Sequence, residues 1–381
     1  MLHRPYLNRL LLPCLVVAFL TGCTGATPEP ATHWPTEGWS TSTPEQQGMD
    51  SEMLADMLEI IEEQDYDVDS VVVVRHGYMV ADATVHPFEP GSRHIIYSCT
   101  KSVVSALVGI AIDKGYVESV DQPILDFFPE RTAANLDANK EAMTLEHVLT
   151  MATGLKCQDS YLYDWRDLSQ MKQSQDWVQF MLDLPMAEEP GTRFEYCNGA
   201  SFLLSAIIQE STGMSALAFA NEHFFGPLGI VNVEWSSNPQ GITIGWSDLH
   251  LTPHDMAKIG YLYLNEGLWD GEQVVLADWV KASTREHISA STLEDGYGYQ
   301  WWIDDTGVYM AVGYAGQFIF VAPEKDMVVV FVSHLSDNDF YVPQRLLEDF
   351  VIPAAKSASP LPDNPEGVAL LESRTEALAN P

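Results

Sequence analysis

Positive charge is scarce in this chain. Of its 381 residues, 19 are lysine or arginine and 54 are aspartate or glutamate, so the formal net charge at pH 7 is −35. A protein this acidic repels phosphate groups and anionic lipid headgroups. We therefore predict that it has no nucleic-acid partner.

Long apolar stretches and several familiar catalytic patterns are also missing. Only residues 10–20 form a sizeable apolar run, and that run is too short to span a bilayer. The sequence has no G-x-S-x-G elbow, no CxxC pair and no glycine-rich phosphate loop. It therefore gives no sign of an α/β-hydrolase elbow, a thiol redox pair or a nucleotide site, and we predict no cofactor.

Metal ligands are sparse as well. His250 and His254 are four residues apart. However, Thr252 and Pro253 are typical of a helix start, so His250 is expected to lie before the helix and His254 inside it. We therefore predict no metal site.

The N-terminus has the features of a secretory signal. Residues 1–22 combine basic residues with the apolar run and are predicted to be removed. The following Leu-Thr-Gly-Cys resembles the lipobox of bacterial lipoproteins. We predict a lipid anchor on Cys23 and a location in the cell envelope, facing the periplasm or the cell exterior. Thr24 in place of aspartate favours the outer membrane, and ordinary cleavage near Gly22 or Ala26 is the alternative.

Composition divides the rest of the chain into three parts. Residues 23–47 are rich in Thr, Pro, Ser, Gly and Glu and show no apolar period, which predicts a flexible tether. Residues 48–353 are predicted to form one large domain. Residues 354–381 are rich in proline and are predicted to be a C-terminal tail.

Apolar periodicity predicts strands near both ends of the domain and helices between them. An early hairpin is predicted at residues 71–80, a helical centre at 98–283, a late meander at 299–332 and a closing helix at 341–352. This order predicts an α/β fold of the α+β kind. One antiparallel sheet is assembled from both termini and flanked by helices, with a mainly helical lobe inserted.

The first chemical cluster is Ser98 with Lys101, at the start of an apolar helix. The two residues are one helical turn apart on the same face. A lysine whose pKa is lowered by burial can take the proton of a serine hydroxyl, and the N–H groups of the helix start can bind an oxyanion. The alternative is that Ser98 only caps the helix. The same spacing in Ser169 and Lys172 falls in a polar segment with little to bury it, so we prefer the first pair.

Two further clusters follow along the chain. Tyr196 and Asn198 lie between a turn and an apolar helix, where a phenol and an amide can face one cleft; the alternative is an ordinary half-buried tyrosine. Residues 313–318 contain Tyr314, Gly316 and Gln317 between two late strands. Their small residues can let a substrate approach backbone N–H groups, although a plain hairpin turn also explains the glycines.

In this order, the three clusters resemble the serine hydrolases of the class C β-lactamase and penicillin-binding-protein superfamily, over roughly residues 43–353. In that family S-x-x-K, Tyr-x-Asn and a Lys-Thr-Gly triplet or variant line one cleft. The resemblance implies a β-lactamase/transpeptidase-like fold and an acyl-enzyme on Ser98. It also implies that Lys101 and Tyr196 move the proton, that Asn198 orients Lys101 or the substrate, and that the backbone amides of Ser98 and Gln317 form an oxyanion hole. Whether Lys101 or Tyr196 is the base stays open, because their protons are coupled.

Tyr314 affects which class of substrate the resemblance implies. β-Lactamases and D,D-peptidases usually carry a lysine at the first position of the third motif, where it meets a substrate carboxylate. A neutral phenol there resembles the esterase and 6-aminohexanoate-dimer hydrolase branches, so we predict a small ester or amide substrate. The alternatives are β-lactamase or D,D-peptidase activity, a Ser/His/Asp triad built on His94 or His334, and a catalytically silent binding lipoprotein of the same fold.

Three cysteines follow Cys23, so at most one intramolecular disulfide can form within the domain. Cys99 is expected to face the core as a small apolar residue. This leaves Cys157 and Cys197 as the predicted pair, in a compartment that permits oxidation. The loop after Cys157 also carries three aromatic residues that are predicted to line the cleft, with a simple packing role as the alternative, namely Tyr161, Tyr163 and Trp165.

Overall fold

The computed structural model describes residue 1 and residues 34–159, 165–290 and 296–380. The predicted lipidation site Cys23 and the aromatic residues Tyr161 and Tyr163 lie outside these ranges.

Thirteen α-helices and thirteen strands are described in these ranges. The helices are α1 Ser51–Glu63, α2 Thr100–Asp113, α3 Ala138–Glu141, α4 Leu145–Leu149, α5 Arg166–Gln173, α6 Trp177–Asp183, α7 Asn198–Thr212, α8 Ala216–Ala220, α9 Pro253–Leu264, α10 Ala277–Ser283, α11 Val342–Leu346, α12 Ile352–Ala354 and α13 Pro365–Ala379. The strands are β1 Val68–Arg75, β2 Tyr78–Thr84, β3 His94–Ile95, β4 Glu234–Trp235, β5 Leu249–Leu251, β6 Leu268–Trp269, β7 Glu272–Gln273, β8 Ile288–Ser289, β9 Gly296–Tyr297, β10 Trp302–Ile303, β11 Tyr309–Gly313, β12 Gln317–Ala322 and β13 Met327–Ser333.

The largest sheet has eight antiparallel strands in the order β2-β1-β13-β12-β11-β10-β9-β8. β1 and β13 are neighbours, with Val71 opposite Phe331 and Val74 opposite Val328. Every residue of these two strands is buried, which explains their continuous valine-rich sequences. Because β1 is an early segment and β13 a late one, the sheet joins both ends of the domain, as predicted. The predicted fold class is confirmed.

The helical part of the molecule is organised around α2. Twelve consecutive residues, from Thr100 to Ala111, are buried in this helix. It packs against α7, which is also buried over most of its length. On the sheet, α9 packs against β12 and β13. A buried helix keeps its orientation fixed, so the side chains of its first turn are held in defined positions.

The segment before the domain is packed from residue 34 onward, which corrects this part of the predicted tether. The ring centroid of Trp34 lies 5.5 Å from that of Tyr261 and 5.3 Å from that of Trp269. Trp39 donates from Nε1 to the carbonyl oxygen of His254 at 3.3 Å. Composition suggested a tether because the segment is mostly polar, but two tryptophans bury enough apolar area to hold it on the domain.

The prediction of a tail after residue 353 is wrong, because α13 packs against α1 and β2. Asn364 caps this helix by accepting a hydrogen bond from the backbone N–H of Gly367 at 3.0 Å, and Pro365 occupies the first turn. Arg374 pairs with Glu59 on α1. The prolines that suggested a tail therefore include a helix-starting residue.

Two elements differ in extent from their predictions. The meander predicted to start at residue 299 has its first strand at Trp302–Ile303. The closing helix is divided into α11, a π-helical turn at Leu347–Val351 and α12. Within the described ranges no single helix passes the length and hydropathy requirements for crossing a membrane, and the one helix pair that passes them together is bent by 74°.

Candidate active site

Ser98 lies in a short 3₁₀ turn, Tyr97–Cys99, that leads directly into α2. The turn begins with Tyr97 at a φ of 44°, in the left-handed region that non-glycine residues seldom adopt. Ser98 itself is half-buried, so a substrate can reach it. The tight turn places Ser98 at the N-terminal end of the buried helix, where backbone N–H groups lack intrahelical partners.

Lys101 is the centre of the polar contacts around Ser98. Lys101 is 2% exposed. Nζ lies 2.9 Å from Ser98 Oγ, 2.8 Å from Asn198 Oδ1 and 3.0 Å from the backbone carbonyl oxygen of Trp246. The structure thus brings together the first two predicted clusters. It also adds a contact to the Trp246 carbonyl that no sequence motif signalled.

Two of these partners determine where the lysine amine directs its lone pair. Asn198 Oδ1 and the carbonyl oxygen of Trp246 only accept hydrogen bonds, so a neutral amine donates its two protons to them. Its lone pair then faces the hydroxyl of Ser98. Burial lowers the pKa of Lys101 to about 7, while the negative charge of Asp159 opposes this decrease. A large fraction of Lys101 is therefore neutral near neutral pH.

Tyr196 also forms a hydrogen bond with Ser98. Burial raises the pKa of the Tyr196 phenol, and its hydrogen bond to Ser98 opposes this increase. Lys101 Nζ lies 4.8 Å from the centre of the Tyr196 ring, and Trp302 stacks on that ring at a centroid distance of 6.1 Å. The phenol is therefore held in place and stays protonated where the lysine is already partly neutral.

Asn198 is held by a carboxylate that the motifs did not predict. Its backbone N–H donates to Asp159 Oδ2 at 2.7 Å, and Asp159 is 1% exposed. Cys157 and Cys197, the pair predicted from the sequence, are joined in a disulfide next to this contact. Each cysteine is close in sequence to one partner of the hydrogen bond. The only sequence signal for Asp159 was its position two residues after Cys157.

The third cluster lies against the turn that carries Ser98. A Cβ at Gly313 would be 2.5 Å from the backbone oxygen of Ile96, so only glycine allows this close approach of β11. Gly316 has a φ of 89°, and a Cβ there would meet Leu335 at 2.6 Å. Gln317 is 1% exposed, and its carbonyl oxygen accepts a hydrogen bond from Cys99 Sγ at 3.4 Å. The backbone of Gln317 is therefore adjacent to the turn of Ser98.

Tyr314 stands at the surface beside this turn and is 50% exposed. Its ring meets the edge of Tyr97 at a centroid distance of 5.6 Å. The negative charge of Asp337 raises the pKa of Tyr314, and the two side chains also interact by hydrogen bonding. Tyr314 is thus a protonated phenol next to a carboxylate.

The other predicted candidates lie in different settings. Trp165, in the left-handed region at a φ of 50°, immediately precedes α5. Ser169 and Lys172, with the same spacing as Ser98 and Lys101, are exposed on α5. The sequence also contains a second Tyr-x-Asn, Tyr263 and Asn265, with the spacing of Tyr196 and Asn198. Its tyrosine is buried in the core, where it is 1% exposed.

The histidines of the alternative triad share one carboxylate. Asp69 Oδ2 lies 3.3 Å from Nδ1 of His94 and 2.7 Å from Nδ1 of His334. The partners that the structure gives Ser98 are Lys101 and Tyr196. These contacts favour the lysine arrangement over the histidine one.

The histidines four residues apart have separate partners. His250 Nδ1 lies 3.2 Å from the carbonyl oxygen of Asp248, and His254 Nε2 lies 2.9 Å from a carboxylate oxygen of Asp82. Cys157, Asp159 and Cys197 also lie within metal-ligand distance of one another. Their two sulfur atoms are bonded to each other and are not available as thiolate ligands.

Comparison with known proteins agrees with this arrangement. A sequence profile of the Beta-lactamase family matches residues 46–351. The chain belongs to the beta-lactamase family. The antiparallel sheet, the flanking helices and the family match together confirm the predicted serine hydrolase superfamily and its β-lactamase/transpeptidase-like fold.

Three proteins are similar to this chain in sequence or in fold. A 6-aminohexanoate-dimer hydrolase of Paenarthrobacter ureafaciens is 24% identical over 295 residues, covering 71% of this chain and 74% of the relative. A D-aminopeptidase of Brucella anthropi is 27% identical over 172 residues, covering 44% of this chain and 31% of that enzyme. The solved structure of EstCE1, a hydrolase with promiscuous acyltransferase activity, has a TM-score of 0.67 and 15% identity, covering 81% of this chain and 99% of EstCE1.

Proposed function

We propose that this protein is a serine hydrolase that cleaves a small ester or amide through a covalent acyl-enzyme on Ser98. The observation that carries the proposal is the 2.9 Å contact of Ser98 Oγ with Lys101 Nζ, whose other two contacts go to hydrogen-bond acceptors. The similarity to a 6-aminohexanoate-dimer hydrolase, a D-aminopeptidase and EstCE1 supports hydrolysis as the reaction.

In the first half of the reaction, Ser98 Oγ attacks the substrate carbonyl carbon while its proton passes to Lys101 Nζ. The carbonyl oxygen becomes an oxyanion, and the backbone N–H groups of Ser98 and Gln317 are the proposed donors to it. Collapse of this intermediate breaks the bond to the leaving alcohol or amine. The proton held by Lys101 reaches the leaving group through the Tyr196 hydroxyl, and the acyl group stays on Ser98.

In the second half, water attacks the acyl carbon and gives its proton to the same pair of residues. The carboxylic acid leaves, and Ser98 regains its proton. Lys101 is the better acceptor at rest, because burial lowers its pKa to about 7 and raises that of Tyr196. The site therefore holds a neutral amine next to a protonated phenol, which suits proton transfer in both directions.

The proposal is tested by labelling with a fluorophosphonate, which phosphonylates activated serines. We expect one adduct per chain, mapped by mass spectrometry to the peptide that contains Ser98. The exposed pair Ser169 and Lys172 is a matched internal control, because it has the same spacing without burial. Labelling of Ser169, or no labelling of the folded protein, would contradict the proposed nucleophile.

The surroundings of Tyr314 support a substrate without a carboxylate at this end of the cleft. A lysine at this position offers a charge-assisted hydrogen bond, which typically contributes about 1.5–3 kcal/mol. Here the phenol is paired with Asp337, so an anionic group would meet a second negative charge. We therefore propose neutral esters or small linear amides as substrates and slow turnover of penicillins and cephalosporins.

The Tyr314→Lys variant should move the preference towards substrates that carry a carboxylate. We expect the ratio of kcat/KM for nitrocefin to that for p-nitrophenyl butyrate to rise about 10-fold. This factor corresponds to the lower end of the free energy of a charge-assisted hydrogen bond. Part of the gain will be lost to an ion pair with Asp337, so the double change with Asp337→Asn should raise the ratio further. An unchanged ratio in both variants, or a wild-type protein that prefers nitrocefin, would contradict this role.

The location of the enzyme is proposed from its N-terminal residues. We propose that Cys23 carries a lipid anchor and that the domain faces the periplasm or the cell exterior, because the apolar run ends directly at the lipobox-like residues. Cys23→Ala should release the protein from the membrane fraction into the soluble fraction. Retention of this variant in the membrane fraction, with Cys99→Ala as the matched cysteine control, would argue against the anchor.

A further inference from the structure

The contacts of Asp159 go beyond those of a structural loop residue. Its carboxylate accepts a hydrogen bond from the backbone N–H of Asn198 at 2.7 Å, at the first residue of α7. Asn198 in turn directs its amide oxygen to Lys101 Nζ at 2.8 Å. Asp159 also interacts by hydrogen bonding with the side chain of Asn198. A buried carboxylate therefore bonds to both the backbone and the side chain of the residue whose amide oxygen accepts a hydrogen bond from the lysine amine.

A covalent bond holds the two partners of this hydrogen bond in register. Cys157 precedes Asp159 by two residues, and Cys197 precedes Asn198 by one. The disulfide joins Cys157 to Cys197, whose Cα atoms are 6.0 Å apart although 40 positions separate them in the sequence. The segment that carries Asp159 is thus joined to the central residue of the Tyr-x-Asn cluster.

We propose that Asp159 is a positioning residue for the Ser98–Lys101 pair: fixed by the Cys157–Cys197 disulfide, its carboxylate holds Asn198 so that the amide oxygen of Asn198 faces the Lys101 amine. This inference rests on the proposed function. With the amide oxygen in this position, a neutral lysine has its lone pair left for Ser98. With the amide turned, its NH₂ group would face the amine and compete for the lone pair.

Charge gives Asp159 a second effect on the same amine. Asp159 and Cys99 both raise the pKa of Lys101, and the negative charge of Asp159 keeps that pKa from falling further. Tyr196, a third titratable group, faces the amine with its ring. Asp159 itself faces Lys101 and, from α5, Asp167. Burial raises the pKa of Asp159, while its hydrogen bonds to Asn198 and the charge of Lys101 oppose this increase. Removing the negative charge should therefore make Lys101 easier to deprotonate.

The experiment compares wild type, Asp159→Asn, Asp159→Ala and Asp167→Asn by the pH dependence of kcat and kcat/KM for p-nitrophenyl butyrate. In wild type, kcat/KM should fall below about pH 7, where Lys101 becomes protonated. Asp159→Asn keeps an acceptor for the Asn198 N–H but loses the charge, so its acid limb should move to lower pH by about one unit. Asp159→Ala loses both and should lower kcat about 100-fold with a smaller change in KM.

Asp167→Asn is the matched control, because Asp167 is also a buried carboxylate of this region but bonds to the backbone N–H of Gln158. We expect its acid limb not to move to lower pH, because the charge of Asp167 raises the pKa of Asp159 and its loss leaves Asp159 more readily ionised. The proposal would be overturned if the acid limb of both Asp159 variants lay at the wild-type pH. It would also be overturned if Asp167→Asn moved the acid limb to lower pH as Asp159→Asn does. If Asp159→Ala does not fold, the Asp159→Asn profile decides. Fluorophosphonate labelling of Ser98 in wild type distinguishes failure of this proposal from failure of the proposed function. If Ser98 is not labelled, the proposed serine hydrolase function is contradicted, and not only the role of Asp159.

The disulfide provides an independent test. Reduction of Cys157–Cys197 in the folded enzyme, followed by alkylation, should lower kcat in the same direction as Asp159→Ala. Thiol quantification before and after the treatment shows that this bond has opened. Full kcat after its reduction would contradict the part of the proposal that assigns the fixing of Asp159 to the disulfide.

Discussion

Replacing Ser98 with alanine should lower kcat/KM for p-nitrophenyl butyrate by about 10⁴-fold or more, as the loss of a catalytic nucleophile does in other serine hydrolases. The reason is that the Ser98 hydroxyl, 2.9 Å from the Lys101 amine, is the proposed nucleophile, so without it the acyl-enzyme does not form. Burst kinetics should also disappear, since no intermediate accumulates. The measurement is steady-state and stopped-flow hydrolysis of purified wild type and variant.

Ser169→Ala is the control for this substitution. Ser169 also precedes a lysine by three residues, but it lies exposed on α5. Its loss should leave both the rate and the melting temperature as in wild type. Hydrolysis at a wild-type rate in a folded Ser98→Ala protein would show that another residue is the nucleophile.

Lys101→Met and Tyr196→Phe should each lower kcat/KM about 10³-fold or more, and the double variant should be little worse than the poorer single variant. The two residues act on one proton next to Ser98, and groups that act as a unit show strongly non-additive losses. Methionine fills most of the volume of the buried lysine without its charge, so the fold should tolerate the change. The measurement is a double-mutant cycle on kcat/KM with melting temperatures for all four proteins.

Lys172→Met and Tyr263→Phe are the corresponding controls. Lys172 belongs to the exposed Ser-x-x-Lys of α5, and Tyr263 belongs to the second Tyr-x-Asn, which packs in the core against Trp301. Neither should change kcat/KM by more than a few-fold. If the losses of Lys101→Met and Tyr196→Phe multiply in the double variant, the two residues act independently and the mechanism is different.

Local sequence patterns predicted most of the sheet and the helix α2, which follows Ser98. The valines of β1 and β13 form continuous apolar runs, and Pro253 after Thr252 marks the start of α9 at the residue where the structure has it. The helix after Ser98 was also evident, because its apolar residues run without interruption. These features depend on neighbours in sequence, which is why they are visible without a structure.

What the sequence did not reveal depends on contacts between distant segments. Asp159 looks like any acidic loop residue until the disulfide and α7 bring it to Asn198. The Trp246 carbonyl is a backbone group and has no sequence pattern of its own. Proline-rich composition predicts a tail in place of α13, although Asn364 followed by Pro365 is also a helix-start signal.

The packing of Trp34 on the domain limits how far the site can lie from the lipid anchor that we propose on Cys23. Only 11 residues lead from Cys23 to Trp34. Fully extended, this length of chain spans about 40 Å, less than the roughly 50 Å diameter expected for a domain of this size. The hydrolase would therefore be confined to a thin layer next to the bilayer, and molecules that are fixed farther away would have to be released before they could reach Ser98.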